Sequence, residues 1–79
     1  MVRSLSQPRP AGVDLGPDEL PVTVDATPVE SVREDWVVED GWWTDRPLRR
    51  RYLELALADG RNLAVFRDLV SGRWFAQRA

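Results

Sequence analysis

The chain has no cysteine and no histidine among its 79 residues. Without cysteine there is no disulfide framework and no thiolate metal site, and without histidine the commonest zinc ligand is missing. No G-x-S-x-G motif, P-loop or dinucleotide fingerprint is present, so no catalytic constellation stands out. The clustered acids Glu34, Asp35, Glu39 and Asp40 are the only group that suggests acid–base work or a hard cation, and a solvated charged face explains them more simply. Long apolar runs are absent too: nothing approaches the ~18 residues of a membrane span. The opening "MVRSLSQPRPAG" lacks an apolar stretch of signal-peptide length. The expectation is a soluble, cytoplasmic protein that is not an enzyme and carries no metal or cofactor.

What is present is a short chain rich in large rings. A domain of this length buries only about 60–65% of the surface its unfolded chain exposes. With no covalent or metal staple, stability must come from packing or from a partner. Four tryptophans, two phenylalanines and one tyrosine carry much of that burden, since each ring side chain can bury roughly 150–250 Å².

Eleven basic residues stand against thirteen acidic ones, which argues against bulk attraction to nucleic acid. The charges are nevertheless segregated. Arg46, Arg49, Arg50 and Arg51 cluster after Glu30, Glu34, Asp35, Glu39 and Asp40, a dipolar pattern that suits a protein partner at least as well as a polyanion.

Residues 1–19 hold Pro8, Pro10, Pro17, Gly12 and Gly16 among small and polar residues. They read as a disordered, flexible arm preceding a small β domain over 20–79. In "LPVTVDATPVESV", Val22 and Val24 alternate with Thr23 and Asp25, and Pro21 fits an edge strand. "VREDWVV" predicts Val32, Trp36 and Val38 on one face, with a bulge or an edge where Glu34 interrupts it. Gly41 can redirect the chain through a positive φ.

"PLRRRYLELALADG" has good helix formers, yet Leu53, Leu55 and Leu57 also alternate. A three-residue loop at Ala58-Asp59-Gly60 would set Leu55 against Leu63, Leu53 against Val65 and Tyr52 against Phe66. That agreement of apolar pairs predicts a strand. A second hairpin turns at Ser71-Gly72, and a loop of two or of three residues would send Trp74 to opposite sides. The sum is a mainly β fold: an antiparallel meander of four to five strands, curled into a half-open barrel.

The candidate contact residues are Trp42, Trp43, Arg49 and Arg51. Adjacent tryptophans cannot share one side of a regular strand, so either the pair lies at an irregular crossing between two strands or one ring is left at least partly outside. A tryptophan beside arginine is the composition enriched at protein–protein hot spots. Trp36 and Trp74 are expected inside. Phe66, Arg67, Asp68, Trp74 and Phe75 belong mainly to the fold; within that set an Arg67–Asp68 or Arg73–Asp68 ion pair would be structural and worth little if exposed. The alternative reading is a single-strand nucleic-acid binder that stacks bases on tryptophan and holds phosphates with arginine. A third is a homodimer joined at a sheet edge.

The order of motifs also carries a resemblance. Gly41-Trp42-Trp43, then Arg50 or Arg51 with Tyr52, then Phe66-Arg67-Asp68, then Gly72-Arg73-Trp74-Phe75 resembles an actinobacterial family of small domains of unknown function. More distantly it resembles the C-terminal segment of ImuB-like proteins, the inactive Y-family polymerase homologues of mutagenesis cassettes. The likeness spans about residues 32–78; this chain has "FAQRA" where that segment continues with a His-Gly pair. It implies a non-catalytic accessory factor in DNA-damage tolerance or translesion synthesis, with a polymerase-associated protein as partner.

Overall fold

Leu53, Leu55 and Leu57 alternate with Tyr52, Glu54 and Ala56, and the backbone follows that period of two. The computed structural model describes residues 7–41, 43, 45 and 47–77. Its strands are β1 (Arg9–Pro10), β2 (Val13–Leu15), β3 (Pro21–Val24), β4 (Thr27–Asp40), β5 (Leu48–Leu57), β6 (Asn62–Asp68) and β7 (Trp74–Gln77). They form one curled antiparallel sheet in the order β1-β7-β6-β5-β4-β3-β2. The expected meander is there as β3 to β7. The count of four to five strands is corrected to seven among the described residues, because the segment before residue 20 supplies two more.

That segment, expected to be a flexible arm, is structured over its described residues. β1 pairs with β7 and β2 pairs with β3, so consecutive strands, separated only by Ala11 and Gly12, cover the two ends of the sheet. Pro10 sits on an edge, where a missing N–H costs no ladder bond. Ala11 and Val13 pack against the core. Asp25 then clasps the junction: its carboxylate accepts from the Gly12 N–H at 2.8 Å and from Arg9 Nη1 at 2.9 Å, and its own N–H donates to the Gly12 carbonyl at 2.7 Å. These contacts span more than ten residues of sequence, which local composition does not reveal.

The curled inner face holds the core of Val24, Leu53, Leu55, Leu57, Leu63, Val65 and Ala76. Burying one such side chain contributes about 1.5–3 kcal/mol. The β5–β6 hairpin has the expected register, with Leu55 opposite Leu63, Leu53 opposite Val65 and Tyr52 opposite Phe66. Its loop closes with Leu57 N–H donating to the Arg61 carbonyl, and Gly60 takes φ +91°, a conformation open to glycine at little cost.

β4 departs from simple alternation. Its register against β5 shifts between Val29 and Ser31 and again between Val32 and Glu34. Each bulge inserts a residue and reverses the facing of the strand beyond it. Val32 therefore lies opposite Leu55 on the core face, whereas Trp36 lies opposite Tyr52 on the other. The single apolar face expected for Val32, Trp36 and Val38 is split. Val22 is likewise set outside by the shift between Asp14 and Leu15 against β3.

The last hairpin has neither a two-residue nor a three-residue loop. Asp68 N–H donates to the Arg73 carbonyl, leaving residues 69–72 as the loop. Arg67 opposes Trp74, and that register turns Trp74 toward the core, where it is half-buried.

Candidate interaction site

Alternation on β5 sends Arg49 and Arg51 to the side of Leu53, and Arg50 to the side of Tyr52. Across from them on β4, Glu39 opposes Arg49 and Val37 opposes Arg51. Arg51 reaches diagonally to Asp35 in a two-pronged contact, Nε to Oδ1 at 3.0 Å and Nη2 to Oδ2 at 2.6 Å. These hydrogen bonds hold the Asp35 carboxyl below its usual range and raise Arg51 above its own. Arg49 lies 3.6 Å from Glu39, with both side chains about half exposed. Of the proposed arginines, Arg49 is thus the more available, and Arg51 spends two donors within the chain.

Trp42 lies outside the described residues. Trp43, in the connection from β4 to β5, is 68% exposed. Asp40 starts that connection by accepting from the Gly41 N–H at 2.8 Å, and Gly41 takes φ +66°. The β6–β7 loop lies at the same end of the sheet and is tied to β5 by Leu69 N–H donating to the Arg49 carbonyl at 2.9 Å. Asp68 shapes this loop. It forms no ion pair with Arg67 or Arg73; Oδ1 accepts from the Ser71 and Val70 N–H groups, which lowers its pKa. The loop then presents Leu69, and Val70 at 69% exposure. Sequence reasoning missed these two apolar residues because the adjacent Ser-Gly read only as a turn.

It also missed most of a ring ladder. Trp36, Tyr52, Phe66 and Phe75 stand opposite one another in register across β4, β5, β6 and β7. Successive ring centroids are 5.4, 5.1 and 5.1 Å apart, within the range of favourable aromatic pairs. Arg50 lies over Phe66 at 4.4 Å and donates from Nη1 to Tyr52 Oη at 3.2 Å. Arg73 lies 5.6 Å from the Phe75 centroid. Phe66 is only 2% exposed beneath this cover, while Trp36 at the β4 end is 39% exposed rather than buried as expected. Only the Tyr52–Phe66 step was visible in sequence; its neighbours depended on the β4 bulges and the length of the last loop.

The acids are divided by the same alternation. Asp35 and Glu39 face the side of Arg51 and Arg49, whereas Glu34 and Asp40 share the side of Trp36. Among the described residues, no group of three or more acidic side chains is arranged to hold a metal ion. No known protein family, curated protein or solved structure matches this chain.

Proposed function

We propose that this chain is a non-catalytic protein-interaction module whose contact surface is the rim at the β4–β5 end of the sheet. The observation that carries the reading is the gathering of Trp43, Leu69 and Val70 at that one end, all exposed, with Arg49 bonded through its carbonyl to the same loop. Large apolar residues rimmed by charge mark contact surfaces on small proteins, and tryptophan with arginine is the pairing enriched at hot spots. The likeness of the motif order to the ImuB-like segment supports a partner associated with translesion synthesis, and a role in DNA-damage tolerance in the cytoplasm. Capture from native cells with wild type and with Trp43→Ala tests the rim. The variant should keep its fold by circular dichroism and lose the partner; equal recovery of every partner by the folded variant rejects the rim.

The ring ladder favours the second reading, a single-strand nucleic-acid binder. It has less support, because Phe66 is covered by Arg50 and the same face carries Glu34 and Glu54. Affinity for an oligonucleotide that fell steeply with salt would favour it over the protein partner.

A further inference from the structure

β4 is paired along only one side for most of its length. β5 covers it from Val29 to Asp40, but β3 reaches only Thr27 and Pro28 on the other side. Beyond Pro28 no described residue pairs with that second edge. The first part of the edge is distorted by the two bulges. From residue 34 to residue 40 the register is unbroken, so this stretch carries an uninterrupted row of backbone donors and acceptors that no described residue pairs along that side.

Chemistry selects the strand that fits. Residues 34–40 read Glu-Asp-Trp-Val-Val-Glu-Asp, with four carboxylates and no basic residue. Asp35 and Glu39 are engaged by Arg51 and Arg49, whereas Glu34 and Asp40 form no ion pair among the described residues. A second copy would set this acidic stretch against itself, with no attractive charge pair in any register confined to it. Trp36 and Val37 are exposed on opposite faces and offer apolar surface to alternate side chains of an incoming strand. We propose that the 34–40 edge of β4 binds an extended, basic segment of a protein partner by strand addition, with main-chain hydrogen bonds supplying affinity and the carboxylates supplying selectivity. This edge adjoins the rim through Glu39 and Asp40, but its main-chain row on β4 is a separate feature from the exposed Trp43, Leu69 and Val70.

The test uses the full chain and two short capped peptides, one alternating lysine with valine and one alternating glutamate with valine. The basic peptide should slow amide hydrogen exchange within 34–40, and the acidic peptide should not. Glu34→Lys with Asp40→Lys should weaken the basic peptide by roughly tenfold or more. Val37→Pro and Val38→Pro form a second arm. Successive N–H groups point to opposite edges of a strand, so one proline breaks a bond to β5 and the other obstructs only the open edge. The variant that keeps its fold should lose the basic peptide. Equal protection by both peptides, protection elsewhere with none at 34–40, or protection that grows with protein concentration without peptide would each overturn the proposal. The last outcome would make the edge a self-association surface. The capture experiment reads Trp43 and this one reads β4 amides, so either surface can fail while the other stands.

Discussion

Asp25 holds two distant parts of the chain together through one carboxylate. It sits at φ +48°, followed by Ala26 at +67°, so the turn from β3 to β4 is of the left-handed kind that suits a two-residue hairpin. From there its side chain reaches Gly12 and Arg9. The Gly12 hydrogen bond first, and the Arg9 hydrogen bond second, hold its pKa below the ordinary value of 3.8. A carboxyl depressed in the folded state stabilises the fold above its unfolded pKa, and the contribution is lost as pH falls through the folded value. Stability measured by urea unfolding should therefore be flat above about pH 5 and decline below about pH 4. Asp25→Asn should lower the plateau and make the acid decline shallower, with Asp35 and Asp68, also depressed, retaining part of it. Superimposable acid profiles for the two proteins would rule out Asp25 as a proton-sensitive clasp. In the sequence Asp25 was visible only as a turn residue; its partners thirteen and sixteen positions away were not.

At the scale of elements, the sheet has a core on one face and the ring ladder on the other. The ladder is graded. Phe66 is flanked by rings on both sides and covered by Arg50, while Trp36 ends the row at an open edge. Phe66→Ala should cost about 3–5 kcal/mol, as expected for a buried ring. Trp36→Ala should cost about 1 kcal/mol, close to the worth of one aromatic pair. A native domain has only about 5–15 kcal/mol in total, so the first variant should be near unfolding and the second should fold. Equal shifts in urea midpoint would show that the ladder is not organised around Phe66. The β5 and β6 contributions were legible because period-two alternation and a glycine loop fix their register. The β4 and β7 contributions were not, since each bulge or added loop residue reverses facing.

At the scale of the molecule, the N-terminal segment is part of the fold. Removing a loose tail would leave stability unchanged. Removing residues 1–12 takes away β1, Ala11 and both partners of Asp25, and it uncovers the outer edge of β7. The truncated chain should lose about 2 kcal/mol or more, the scale of one buried aliphatic side chain, and β7 amides should exchange faster. Unchanged stability and exchange would return the segment to the status of a tail.

Residue pattern was enough for the class of fold. Its leucine alternation and Gly60 loop dictate a strand pair, because only one register brings apolar residues together on both faces. It also determined that Arg50 parts from Arg49 and Arg51. Which edges are covered, where Trp36 and Trp74 face, and which apolar residues lie at the same end of the sheet as Trp43 depended on long-range contacts. Those outcomes rest on bulges, on loop length and on one long-range carboxylate clasp. Each is a small local change in the chain, and in a period-two structure its effect is carried to every residue beyond it.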